Sequence, residues 1–150
     1  MNTFEKSTIS YCNFLEKLTP NSLRALNQFV DQNIIFSDPF HQTKGIEKYT
    51  AILDTMFLTF DQIDFKTKKI FYNATAGNNF SSFNWRLKMR HKKSFKPVQI
   101  DGMTLVELSQ QGLITRHEDF WDPSSSIYRI IPLLGSAVDF VRKRIKDTSN

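Results

Sequence analysis

Apolar residues recur every three or four positions over the first sixty residues and at every second position beyond them. The chain therefore divides near Phe60 into a helical part and a stranded part. The first helix is predicted from about Phe4 to Leu18, with Ile9, Phe14, Leu15 and Leu18 near one face and Tyr11 beside them. Thr19-Pro20 reads as an N-cap followed by proline at the first helical position, where its missing N–H would have had no partner anyway. The second helix carries Leu23, Leu26, Phe29 and Val30 at helical spacing. NIIFSDPF is a short apolar strand stopped by Pro39, which biases Asp38 toward an extended backbone, and HQTKG is a loop. Gly45 opens a third helix, whose stripe of Ile46, Tyr49, Ile52, Leu53, Met56, Phe57 and Phe60 is a core face.

Four strands follow: IDFKTKKIFYN, FSSFNWRLKMR, VQIDGMTLVEL and ITRHEDFW, the last two separated by a turn at Gly112. In the second of these, Phe83, Trp85, Leu87 and Met89 share a face. Beyond Pro123 come a polar turn, a short helical segment, a break from Pro132 to Gly135, and a terminal amphipathic helix. Helices first and strands second predict one α+β domain over residues 1–150, its antiparallel sheet covered on one face by helices. Residues 127–150 form a C-terminal helical extension. Three helices over a strongly curved sheet would enclose a cone able to hold one small ligand.

Composition sharpens that picture. Fourteen phenylalanines in 150 residues supply aromatic volume for an apolar interior or pocket. No run approaches the length of a membrane-spanning helix, and the first residues lack the apolar core of an export signal. Cys12 stands alone, so no internal disulfide is expected, and a reducing cytoplasm is the simplest compartment. The net charge of +5 is concentrated in RLKMRHKKSFK and VRKRIK. In the first run Arg86, Lys88 and Arg90 alternate with Leu87 and Met89, as on an outward strand face. No nucleic-acid motif accompanies the charge, so a nucleic-acid partner is not expected.

The polar cluster RHEDFWDP at Arg116–Pro123 holds the candidate chemistry. Alternation places Ile114, Arg116, Glu118, Phe120 and Asp122 on one face, and Thr115, His117, Asp119 and Trp121 on the other. On the preceding strand Gln99, Asp101, Met103 and Leu105 oppose Ile100, Gly102, Thr104 and Val106. An inward carboxylate among aromatics is a candidate base, unless His117 pairs with it and ties the strand end to a loop. FSDPFHQ adds Asp38 and His41, which taken alone form a turn. No metal-ligand spacing, nucleophile elbow or glycine-rich phosphate loop is present, so neither a metal nor a cofactor is expected. Cys12, on an apolar helix, reads as a packed thiol.

The order of helix, TPNSLRALNQFVDQNIIFSDPF, Gly45-Ile46-Glu47, long alternating strands and GLITRHEDFWD resembles the SnoaL-like, ketosteroid isomerase-like branch of the NTF2-like superfamily over about residues 4–122. The resemblance implies a cone-shaped α+β fold with an apolar pocket, often dimeric. It implies a cofactor-free isomerase, cyclase or dehydratase acting on a small apolar ligand. The ketosteroid isomerase pattern makes Asp38 the general base and Asp101 a neutral donor to an oxyanion. Phe14 then stands where that pattern has tyrosine, with Tyr11 one turn earlier. The polyketide cyclase pattern instead makes Asp119 the base, with His117 and Trp121 on its pocket face. Pocket walls are expected from Phe14, Tyr11, Phe40, Tyr49, Met56, Phe83, Trp85, Met103 and Trp121. A non-catalytic ligand-binding or interaction module is the alternative. In the extension, Ile130, Leu133, Leu134, Val138 and Val141 are expected to cap the cone or a dimer interface, ahead of contact between the basic helix and a membrane surface.

Overall fold

Asn2 closes the first turn of the chain. Its side chain accepts from the Glu5 N–H while the Glu5 carboxylate accepts from the Asn2 N–H, and this reciprocal cap starts α1 (Thr3–Glu16). The computed structural model describes residues 1–73 and 79–147. The face that α1 buries is Thr8, Tyr11, Cys12 and Leu15; Ile9 is only half-buried. Burial pushes the Cys12 thiol up to about 12, so it is an inert, packed group at neutral pH. Thr19 and Pro20 start a helix as the sequence predicts, but the segment Pro20–Gln28 is a 3₁₀ helix rather than an α-helix. Strand β1 (Val30–Ser37) follows directly. The expected loop at HQTKG contains a short strand, β2 (Gln42–Lys44), antiparallel to β1. Gly45, at φ 104°, turns the chain into α2 (Ile46–Thr59).

The rest of the sheet comes from β3 (Phe60–Tyr72), β4 (Phe80–His91), β5 (Pro97–Leu108) and β6 (Ile114–Trp121). The strand order is β2-β1-β6-β5-β4-β3, with β1 and β6 parallel and every other neighbouring pair antiparallel. Register breaks between Asp61 and Asp64 and between Thr67 and Lys69 bend β3 around the helices. Glu16 pins the end of α1 to the second break by accepting from the Thr67 N–H at 2.8 Å. A further break between Glu107 and Leu108 changes the phase of β6: Ile114 is fully buried rather than sharing the outer face with Arg116. Two short 3₁₀ helices (Pro123–Ser125 and Ile127–Ile130) and α3 (Leu134–Asp147) complete the described chain. Among the described residues no helix is long and apolar enough to cross a membrane.

The inner face of the sheet carries Phe36, Phe83, Trp85, Met89, Val98, Ile100 and Val106 against Tyr11, Cys12 and Leu15 of α1. The outer face carries charge. Arg86 Nε donates to Asp101 Oδ1 at 2.9 Å, Lys68 Nζ donates to the same oxygen at 2.9 Å, and Arg90 is bidentate on Asp61. These contacts correct two expectations, since Asp101 and Met103 are both exposed on the outer face. The Arg86 and Lys68 hydrogen bonds hold the Asp101 carboxyl at about 2, so it is a surface anion and not a neutral donor inside the cone.

Gly102 lies opposite Trp85 in the β4–β5 ladder, and a Cβ there would come within 2.4 Å of the indole ring. The missing side chain is what lets the indole lie flat on β5 and donate from Nε1 to Thr104 Oγ1 at 2.8 Å. Gly102→Ala should therefore cost about 1–3 kcal/mol of stability through overpacking. Thermal unfolding should show a fall of several degrees, accompanied by a change in tryptophan emission.

Candidate functional site

The layer between helices and sheet does not fill completely. It leaves a cavity of about 460 Å³, a volume suited to one small ligand. Its walls are Leu15 from α1, Ile52, Leu53 and Met56 from α2, and Ile63, Phe65, Leu87, Met89 and Ile100 from the sheet. Both tryptophans, Trp85 and Trp121, and all three histidines, His41, His91 and His117, also border it. So many scarce polar-tipped rings around one apolar space mark this cavity as the candidate site.

At one end the lining turns polar, and the polar groups form a single hydrogen-bonded chain. Tyr49 and Tyr11 hydroxyls lie 2.8 Å apart, and Tyr11 is 2.8 Å from His117 Nδ1. His117 Nε2 is 2.9 Å from Asp119 Oδ1, and Thr104 Oγ1 also bonds that oxygen. Trp85 Nε1 ends the chain on Thr104. Period-two alternation on β6 supplies the spacing of His117 and Asp119, and β5 sets Thr104 directly across from Asp119.

Donor counting orients the chain. Indole N–H only donates, so the single Thr104 hydroxyl proton points to Asp119 Oδ1. Burial pushes the phenols of Tyr11 and Tyr49 well above the usual tyrosine range, and the Asp119 charge adds to it, so both keep their protons. With Asp119 ionised and the imidazole neutral, His117 donates from Nε2 to Asp119, its Nδ1 lone pair accepts from Tyr11, and Tyr11 accepts from Tyr49. This assigns the Nε2–H tautomer. Among the described residues, Oδ1 of Asp119 receives both of its hydrogen bonds and Oδ2 receives neither.

The second acid beside the cavity is arranged differently. Asp38 Oδ1 accepts from the N–H groups of Phe40 and His41 at 2.8 and 2.7 Å, and the carboxylate also meets His41 Nδ1 at 2.9 Å. That is a turn closed by its own side chain, in which Oδ1 takes two backbone N–H groups and both carboxylate oxygens meet His41 Nδ1. Phe40 packs edge-on against Trp121 near the rim, and Ile127, Ile130 and Ile131 of the extension lie along the same cavity.

Of the residues named from the sequence, Asp38, Phe40, Tyr49, Met56, Trp85, His117, Asp119 and Trp121 border the cavity. Tyr11 lies one layer behind and reaches the site only through His117 and Tyr49. Phe14 is turned away and stacks on Phe29 at 4.3 Å, and Phe83 is sealed in the core between sheet and α1. Asp101 and Met103 lie on the far face of the sheet. The sequence carries no motif that points to Thr104, although alternation places it on the face of Ile100 and away from Asp101. Among the described residues no group of three or more His, Cys, Asp or Glu side chains is placed to hold a metal ion.

Comparison with known proteins fits this architecture. The sequence model of the SnoaL-like domain matches residues 13–117. An NTF2-like protein of unknown function from Burkholderia pseudomallei superposes with a TM-score of 0.72 at 8% identity, covering 88% of this chain and 99% of its own. A SnoaL-like polyketide cyclase from Agrobacterium tumefaciens gives 0.65 at 20% identity, covering 86% and 98%. A protein with a ketosteroid isomerase-like fold from Catenulispora acidiphila, in complex with trimethylamine, gives 0.64 at 16% identity, covering 79% and 87%. At these identities the likeness shows the fold. No curated protein matches the chain.

The hydrogen-bonded chain predicts an asymmetry between its two tyrosines. Tyr11→Phe strands both His117 Nδ1 and the Tyr49 hydroxyl and should cost about 2–3 kcal/mol, whereas Tyr49→Phe removes only the terminal donor and should cost about 1 kcal/mol. Guanidinium denaturation with an unchanged slope would show the difference directly.

Proposed function

The chain belongs to the SnoaL-like domain family, and from that premise we propose that it binds a small apolar molecule bearing at least one carbonyl-type group, on which Asp119 acts as general base. The observation that carries this reading is the Asp119 carboxylate at the polar end of an otherwise apolar cavity. One oxygen is held by Thr104 and His117, and the other takes neither of those bonds. A base must be held in place and still offer a lone pair, and this arrangement meets both conditions. In the proposed step a C–H proton next to the carbonyl passes to Asp119 Oδ2, and the C–H electron pair moves toward the carbonyl oxygen. Return of that proton to another carbon is isomerisation. Where the ligand carries a second carbonyl, attack of the carbanion on that carbon breaks its C=O π bond, and return of the proton from Asp119 to the resulting alkoxide completes a cyclisation. His117 is a positioning residue, fixing the carboxylate through Nε2–H. Trp85 does the same through Thr104.

A binding-only reading has one observation in its favour: each proton of the Tyr49–Tyr11–His117–Asp119–Thr104–Trp85 chain already has an acceptor, so the chain is complete as a structural tie. Native mass spectrometry of purified protein would identify a retained ligand. NMR in deuterium oxide would then follow protein-dependent exchange of that ligand's C–H protons. The proposal expects exchange that Asp119→Asn lowers by about 10²–10⁴-fold while affinity changes far less, with Asp101→Asn at the wild-type rate. A ligand that binds the wild-type protein and never exchanges supports the binding-only reading.

A further inference from the structure

The two basic runs of the sequence meet different fates. In β4, Arg86 and Arg90 are paired with Asp101 and Asp61 across the outer sheet face. In α3, Asp139 and Arg142, one turn apart, moor the helix to the segment before it. Arg142 donates to Asp122 Oδ2 at 2.7 Å and to Ser124, and Asp139 accepts from Arg129 at 2.7 Å. Lys143 and Lys146 join none of the ion pairs described.

These polar moorings hold α3 the opposite way round from an ordinary surface helix. The flank toward the protein is the charged one, and no residue of α3 is buried. Leu133 is 87% exposed, Phe140 66% and Val141 54%. Leu134 and Val141 fall on one stripe at helical spacing, and Phe140 lies beside it. Of the residues expected to cap the cone or a dimer interface, Ile130 borders the cavity, together with Ile127 and Ile131, whereas Leu133, Leu134, Val138 and Val141 do not. Ile131 borders the cavity and is itself 44% exposed, so the rim of the cavity runs into this apolar surface two residues before Leu133.

Phe140, Val141 and Ile145 are exposed within a basic stretch of α3, a combination that matches a helix lying in the headgroup region of an anionic bilayer with its apolar side down and its lysines on the polar side. A two-fold dimer across α3 would bring two copies of the basic run together, which like charges oppose. We propose that α3 is an interfacial helix that docks the protein on an anionic phospholipid surface, with the rim of the cavity facing the lipid. An apolar ligand then has a short path between bilayer and cavity. The inference stands apart from the chemistry assigned to Asp119.

Vesicle co-sedimentation of the full chain tests it, comparing pure phosphatidylcholine with the same lipid containing about one-quarter phosphatidylglycerol. Partitioning should be at least about tenfold stronger on the anionic vesicles and should fall with added salt. Lys143→Ala and Lys146→Ala should each weaken it about fivefold, and Phe140→Glu with Val141→Glu about tenfold or more. These side chains are exposed, so a matching circular dichroism melt should show that each variant folds. The wild-type lipid preference is a readout that needs no variant. Absence of wild-type binding, or equal binding to both vesicle types, overturns the proposal. So does a dimer in light scattering that Phe140→Glu and Val141→Glu dissociate, because that result assigns the face to a second copy.

Discussion

His117 is a buried imidazole with both ring nitrogens hydrogen-bonded, one to a phenol from α1 and the other to a carboxylate two residues along its own strand. A buried polar ring that lost either partner would be left with an uncompensated group in an apolar interior, so the two contacts constrain each other. Tyr11 must come from α1 at the right height, which fixes that helix over the sheet. Asp119 must stay turned inward, which fixes the phase of β6 beyond the bulge near Thr115. Tyr49 then ties α2 to the same point, and Thr104 and Trp85 tie in β5 and β4. Five elements meet at one hydrogen-bonded chain, and the cavity is the space that remains beside it.

Much of this was legible in the chain. The change of period at Phe60 separates helices from strands, and alternation along ITRHEDFW puts His117, Asp119 and Trp121 on one face. What alternation cannot do is choose which face looks inward or survive a bulge. Ile114 changed faces because the ladder slips between Glu107 and Leu108. Only the family resemblance points Asp101 inward. Its cross-strand neighbour Arg86 decides the matter, because an arginine opposite an aspartate on an outer face is a better partner than an apolar cavity. Phe14 and Tyr11 differ by less than one helical turn, and only packing against Phe29 shows which of them turns toward His117. The amphipathic character of the last helix was plain from its spacing. Its orientation was not, because it depends on Arg129 and Arg142 finding Asp139 and Asp122.

The same division separates the rigid from the adaptable parts of the molecule. The polar end of the cavity is built on long strands and satisfied in every proton, as a group that must be held in position requires. The rim is built from the Asp38–His41 turn, the Phe40–Trp121 contact and the isoleucines of the extension. Under the proposed function, specificity for a ligand's apolar body would rest on side chains near the surface, and reactivity on side chains tied into one hydrogen-bonded chain.

The account turns on the direction of the hydrogen bonds through His117, and long-range proton–nitrogen NMR of its imidazole reports that direction. The arrangement described here requires a proton on Nε2 and a lone pair on Nδ1, accepting from Tyr11. A spectrum showing the Nδ1–H tautomer would contradict it. The chain would then run the other way, Asp119 would have to carry the proton between itself and Nε2, and the carboxylate base would be gone.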